Sequence, residues 1–312
     1  MTTYLITGVA GFIGSNLAEH LIEQGETVIG VDNFLTGKKK NIESFTHKMN
    51  FVEGDIRSRE LMDELCRNVD YILHHGAMAS VPWSMKEPML THEHNATGTL
   101  NVLLAAKENN VKKVVMAVTS AAYGNSEVLP AHEELPTEAL SPYGATKLIG
   151  EIYLQLFSTA YKLPTVGLRY FNVFGRRQDP TSAYAAAIPI FARKLIHGES
   201  PVVFGDGTQT RDFVYIKDVI QANLKACQAG NEANGKMFNI GTGMQITVNE
   251  LINHMQSLLG TNEKVIHAAE RAGDVKHSVA SIEKAKRLLN YCPRYSVFDG
   301  LKEAIEWYRN NL

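Results

Sequence analysis

The sequence predicts an α/β fold, a doubly wound parallel sheet with a smaller C-terminal lobe, and three observations carry that expectation. Short β-branched runs recur through residues 1–170 with helical stretches between them, the pattern of a parallel sheet covered on both faces. The first run, Tyr4-Leu5-Ile6-Thr7, feeds glycines at 8, 11 and 14 and then an amphipathic segment through Leu21 and Ile22, so it reads as strand, tight turn and helix. The second run, residues 27–31, ends in Asp32, roughly 20 residues beyond the glycines. The 312 residues, 45% hydrophobic and 21% charged, can bury a large core in one large or two unequal domains.

Taken in order, the glycine turn is a cradle for a pyrophosphate. Gly8 can adopt a positive φ, Gly11 removes the Cβ that would hold a diphosphate away, and Gly14 lets the helix pack closely on the strand. Phe12 and Ile13 open that helix, whose N-terminal N–H groups and dipole favour an anion. Asp32, followed by Asn33, is placed to bind the adenosine ribose hydroxyls and would repel a 2′-phosphate, which favours NAD over NADP. Lys38-Lys39-Lys40 reads as a solvated charge run. Residues 50–54 form a third strand with Asp55-Ile56 at its end. There the carboxylate faces an adenine amino group and the isoleucine its flat side, or the acid serves only as a turn residue capping the helix from Ser58.

Residues 69–73 form a fourth strand, and His74-His75-Gly76-Ala77 occupies its carboxyl end, where ligands bind in such sheets. Adjacent histidines point to opposite sides of an extended chain, so no metal pair is expected. A helix over about 91–109 carries Asn95 on its first turns as a candidate positioning group. The fifth strand, 111–118, delivers Thr119 and Ser120 to the glycine-loop edge. Ser141-Pro142-Tyr143 heads a helix running to about 161, and Tyr143 and Lys147, four apart, share one face. A nearby ammonium and an oxidised nicotinamide both favour the phenolate, so Tyr143 can act as a base toward a substrate hydroxyl. Thr119 would bond the same oxygen, and Lys147 would also hold the nicotinamide ribose.

Composition narrows the class. A net charge of −2 leaves no general basic field for nucleic acid, and no apolar run reaches membrane-spanning length. The first strand begins at residue 4, which leaves no room for a signal peptide. Cys66, Cys227 and Cys292 are widely spaced and form no Cys-x-x-Cys pair, so a reducing cytoplasm is expected and neither a disulfide frame nor a zinc site is; the sequon at Asn95 is accidental.

Past residue 161 the pattern changes. A sixth strand covers 164–169, Val202-Val203-Phe204 leads into Gly205-Asp206-Gly207 as a tight hairpin signal, and Arg211 and Arg271 carry guanidinium groups suited to a diphosphate.

The chain resembles the extended short-chain dehydrogenase/reductase family, and within it the nucleotide-sugar 4-epimerases, along nearly its whole length. The residues are Thr7-Gly8-Val9-Ala10-Gly11-Phe12-Ile13-Gly14, Asp32-Asn33, Gly54-Asp55-Ile56, Ser141-Pro142-Tyr143 with Lys147, and Leu168-Arg169-Tyr170-Phe171-Asn172-Val173-Phe174-Gly175. Gly205-Asp206-Gly207 with Arg211-Asp212-Phe213, and Arg271-Ala272-Gly273-Asp274, continue the match. Two departures stand out: Thr119 where many members have Ser, and His75-Gly76-Ala77 where an apolar residue and two alanines are usual.

The resemblance implies a Rossmann domain over 1–170 and a UDP-sugar lobe over 171–312, with segments near 213–241 returning to the cofactor domain. It implies NAD that stays bound, and epimerisation at C4 of a UDP-hexose through a 4-keto sugar. Thr119, Tyr143 and Lys147 would be catalytic. His75, Ala77, Asn95 and Tyr170 would join the cofactor site, and Ala79, Ser120, Asn172, Gln178, Ala186, Arg211, Arg271 and Ser278 the substrate site. A homodimer is the expected assembly, though the residues themselves do not fix the oligomeric state. A small Ser278 beside C2 admits an N-acetyl group, so UDP-GlcNAc and UDP-GalNAc are the expected pair, with UDP-Glc and UDP-Gal also accepted. The absence of an acid after Thr119, where Ser120 and Ala121 stand, counts against 4,6-dehydration. A UDP-uronate 4-epimerase or decarboxylase is the alternative, and a non-catalytic NAD-sensing protein a more distant one.

Overall fold

The computed structural model describes residues 1–180, 186–270 and 275–311. The N-terminal part runs β1 (Thr3–Thr7), α1 (Phe12–Glu23), β2 (Thr27–Asp32), β3 (Asn50–Glu53), α2 (Arg59–Leu65), β4 (Tyr71–His74), α3 (Val81–Lys86), α4 (Pro88–His92), α5 (Gly98–Glu108), β5 (Lys113–Thr119), α6 (Pro142–Ala160) and β6 (Thr165–Tyr170). The remainder runs β7 (Asn172–Phe174), α7 (Ala187–Ile196), β8 (Val202–Phe204), β9 (Thr210–Arg211), β10 (Phe213–Tyr215), α8 (Ile216–Gln228), β11 (Lys236–Ile240), β12 (Ile246–Thr247), α9 (Val248–Leu259), β13 (Ile266–Ala268), β14 (His277–Ser278), α10 (Glu283–Leu289) and α11 (Val297–Asn311).

Seven of these strands form one parallel sheet in the order β11-β6-β5-β4-β1-β2-β3. The chain direction across the sheet reverses between β1 and β4, so a crevice opens at their carboxyl ends. One face buries Leu5, Ile72, Val114 and Met116 with Leu154 and Phe157 of α6. The other buries Ile6, Leu73, Val115 and Phe238 in the cluster that also takes in α8 and α11. Such double coverage is why these strands read as continuous apolar runs rather than alternating ones. Thr7 laces the crevice shut from below. Its hydroxyl bonds His74 Nδ1 at 2.7 Å and accepts the N–H groups of His75 and Gly76 at 3.2 and 3.0 Å.

Three expectations are corrected. The helix expected from 91 starts at Pro88 and passes through a π-helical stretch, Glu93–Thr97, before α5. The hairpin at 205–207 does not form. Gly205 and Gly207 do take positive φ, but β8 pairs parallel with β13 and β9 pairs with β12 and β14. The turn is instead drawn onto the start of α9, where Asn249 N–H donates to Gly207 and its Nδ2 to Asp206. Lys38 is no solvated charge, because its ammonium pairs with Asp179 at 2.5 Å while its N–H donates to Ala10.

Candidate active site

The glycine turn is built as its spacing requires. Gly8 has φ +70°, and a Cβ there would lie 2.7 Å from Gly76 N. A Cβ on Gly14 would lie 2.2 Å from Gly8 O, so α1 sits against the end of β1 only because residue 14 has no side chain. Gly11 is the N-cap of α1, and no side chain caps that helix, which leaves the first N–H groups, those of half-buried Phe12 and Ile13 among them, to an incoming anion. Asp32 is buried at the end of β2, where its carboxylate accepts Ala10 N–H at 2.9 Å and Phe34 N–H at 2.8 Å. Burial pushes that carboxyl up from its ordinary value, and the two N–H groups pull it back. Gly8, Gly11, Asp32, Asn33, Ile56, His75, Gly76 and Ala77 line one cleft at the switch point, joined by His94. A cradle that Cβ atoms would fill, with a carboxylate at its far end, fits an extended dinucleotide.

Other sequence-expected cofactor residues serve this cleft less directly. Asp55 is engaged by Arg57 on both carboxylate oxygens and by Asn33 Nδ2 at 2.9 Å, and these bonds hold it down at about 2 against the effect of its partial burial. Asn95 is buried in the π-helical stretch with both amide groups committed: Oδ1 accepts Met78 N–H, and Nδ2 donates to Met78 O and to Thr146. It positions the chain that follows Ala77 and the helix turn before Lys147. Tyr170 is buried, its hydroxyl bonded to His75 Nε2 at 3.1 Å and to Asn223 Nδ2 at 2.8 Å. His74 points the other way, to Thr7 and Thr99, as the alternation of an extended chain demands. His94 escaped sequence reading because nothing local marks it; the π-helical register places it near Asn33 and Asp55.

Thr119, Tyr143 and Lys147 converge at the sheet edge. Ser141 caps α6 by accepting Gly144 N–H at 3.1 Å, and Pro142 fills the first turn, which sets Tyr143 at the head of the helix. Burial raises the Tyr143 phenol, and a hydrogen bond with the Thr119 side chain lowers it. Lys147 is tied to the neighbouring strand. Its Nζ donates to Ala117 O at 2.9 Å, and burial pushes the ammonium down to about 8.

In the C-terminal part, Ser278 pairs with Arg211 in the parallel register of β14 and β9. Arg211 lines a second cleft with Phe204, Asp206, Gln209 and Lys276. Asn172 lies at the start of β7 with Nδ2 on Asp212 O, and Gln178 turns its amide onto Val173 O. Ser120 is half-buried beside Thr119, while Ala79 and Ala186 are exposed. Arg271 lies outside the described residues. Among the described residues no group of three His, Cys, Asp or Glu is arranged to hold a metal.

Comparison with known proteins decides the family. Residues 4–241 match the model of the NAD dependent epimerase/dehydratase family. The chain belongs to that family. It is an NAD-dependent enzyme, and the extended short-chain dehydrogenase/reductase resemblance holds. A putative UDP-glucose 4-epimerase of Methanocaldococcus jannaschii is 39% identical over 309 residues, 98% of each chain. The UDP-N-acetylglucosamine 4-epimerase of Methanobrevibacter ruminantium, solved with UDP-N-acetylmuramic acid, is 35% identical with a TM-score of 0.95, over 100% of this chain and 99% of that one. The UDP-glucuronic acid 4-epimerase of Bacillus cereus, solved with UDP-glucuronic acid and NAD, is 31% identical with a TM-score of 0.91, over 99% of each.

Proposed function

We propose that the protein is a UDP-sugar 4-epimerase whose preferred pair is UDP-GlcNAc and UDP-GalNAc, with UDP-Glc and UDP-Gal also turned over. The observation that carries this reading is the meeting of Thr119 at the end of β5 with Tyr143 and Lys147 at the head of α6, whose ammonium is bonded to β5, at the same sheet edge as the dinucleotide cradle. Bound NAD supplies the hydride acceptor and donor at C4, so the sugar passes through its 4-keto form with no net redox change. Tyr143 takes the proton of the 4-hydroxyl and later returns it. Thr119 bonds the same oxygen and holds the phenol in register. Lys147 has one of its three donors on Ala117, and the others would hold the nicotinamide ribose. Arg211, with Arg271, holds the diphosphate while the sugar presents its opposite face.

The N-acetyl preference is supported by Ser278, small and half-buried against Arg211, and by the Methanobrevibacter relative. Residues 1–170 form the cofactor domain and 171–312 mainly the sugar-nucleotide lobe, with α8 and β11 returning to the cofactor side. Assay of UDP-GlcNAc, UDP-Glc and UDP-glucuronate side by side tests the reading. Turnover of UDP-glucuronate alone would replace it with the uronate epimerase that the Bacillus relative represents.

The protein works as a cytoplasmic homodimer. Its thiols are free, and no described helix is long and apolar enough to cross a membrane. Ile152 and Leu156 stand 62% and 44% exposed one turn apart on α6, and α3 and α4, packed on α6, carry Met85 and Met89 outward at 62% and 70%. An apolar face of this kind suits a second copy. Light scattering should give twice the chain mass, and Ile152→Glu should give the monomer.

A further inference from the structure

We propose that Asp212 is the positioning residue of the sugar-nucleotide pocket, fastening Asn172, Arg211 and Ser278 into one surface without touching substrate itself; this rests on the UDP-sugar reading above. Asp212 follows Arg211 directly, between β9 and β10, and is 0% exposed. Its carbonyl accepts both Asn172 N–H at 3.2 Å and Asn172 Nδ2 at 3.1 Å. Its own N–H donates to Ser278 O at 2.9 Å. One residue therefore ties β7, β9 and β14 together through its main chain.

The side chain then fixes where that junction sits. Oδ1 accepts Thr242 N–H at 2.8 Å and Thr242 Oγ1 at 2.7 Å, and Oδ2 accepts Gly243 N–H at 3.0 Å and Ala280 N–H at 3.2 Å. Ala280 is two residues past Ser278, so the carboxylate holds β14 from its far end while the main chain holds it at Ser278. A Cβ on Gly241 would come within 2.6 Å of Oδ2, which boxes the carboxylate in. Each oxygen takes two donors, and a carboxylate is the side chain that offers about four acceptor sites. An amide of the same shape cannot substitute. Turned toward Gly243 and Ala280 its NH₂ meets two N–H donors, and turned toward Thr242 it meets the Thr242 N–H, so either way the junction has to open. Thr119, Tyr143 and Lys147 stand on β5 and α6, and none of the bonds to Asp212 comes from them.

The test uses NAD-loaded holoenzyme, with UDP in calorimetry and UDP-GlcNAc and UDP-Glc in turnover. Asp212→Asn should raise KM for the UDP-hexose and Kd for UDP by about tenfold or more, the scale of losing hydrogen bonds to a charged group. Its kcat should stay within about threefold and its NAD content should be unchanged, a split that general unfolding would not produce. Thr242→Val removes one donor to the carboxylate and should move KM the same way by a few-fold, on the order of one weak hydrogen bond. Unchanged KM and Kd in Asp212→Asn, or a fall in kcat at constant KM, overturns the proposal. If Asp212→Asn loses NAD or does not fold, Thr242→Val decides: a KM shift at constant kcat upholds it and none overturns it. Wild type that binds neither UDP nor a UDP-hexose would instead bring down the UDP-sugar reading, and this inference with it.

Discussion

At the scale of single residues, the proposed chemistry turns on how a phenol is held. Tyr143 is raised by burial and lowered by Thr119, while Lys147 is tied to a strand carbonyl. Tyr143→Phe keeps the ring and removes the proton acceptor, so kcat should fall by about 10²–10⁴-fold with the Kd for UDP-sugar nearly constant. Stopped-flow turnover beside calorimetry checks this, and undiminished kcat would require another base. Ser278 gives the second residue-scale expectation. It pairs with Arg211 in register, so a ring added there would stand beside Arg211, which the proposed reading gives to the diphosphate. Ser278→Tyr should abolish turnover of UDP-GlcNAc and spare that of UDP-Glc, because the ring overlaps an acetamido group and not a hydroxyl. Equal loss of both would place the C2 pocket elsewhere. Tyr143 and Lys147 were legible because a four-residue spacing is a property of one helix. Asn95 was legible only as a polar residue near the site: its bonds to Met78 and Thr146 reach 17 and 51 residues away, and no local pattern encodes them.

At the scale of elements, α1 joins the glycine cradle to the segment that follows β7. Its first turn forms the anion end of the cradle, while Glu19 further along pairs with Arg176 and Arg177, just past β7. The helix can stand there only if Gly14 is bare, since a Cβ at that position would meet Gly8 O at 2.2 Å, a backbone atom with no room to yield. Gly14→Ala should push α1 outward, costing about 1–3 kcal/mol of stability as overpacking does, and should lower the NAD carried through purification. Melting temperature and released NAD measure both. Full NAD occupancy at an unchanged melting temperature would mean the helix does not need this close approach. The three-glycine spacing announced this element; the Glu19 clamp was not announced, because its partners lie 157 and 158 residues away.

At the scale of the whole molecule, histidines buried at the end of β4 should help set the acid limit of the fold. His74 is 2% exposed between Thr7 and Thr99, and burial pushes it down to about 3 from an ordinary 6.5. Between those values the unfolded chain binds a proton that the folded one does not. Stability is therefore full above about 6.5 and falls with acidification, by at most ~3 kcal/mol at pH 4 for this one group. His75, pushed down to about 4, acts in the same direction. The melting temperature should drop between pH 7 and 4.5, and by less in His74→Gln; equal drops would assign the acid limit to other groups. The sequence by itself determined the α/β class, the strand–glycine–helix cradle, Asp32 and the Tyr143–Lys147 face, because each is a periodicity or spacing within a few turns of one chain segment. Only the tertiary structure decided that β8 pairs with β13, that Lys38 meets Asp179, and that Asp212 gathers Asn172, Arg211 and Ser278. Those features join segments far apart in the chain, and their energies come from hydrogen bonds and burial that exist only once the sheet has brought them together.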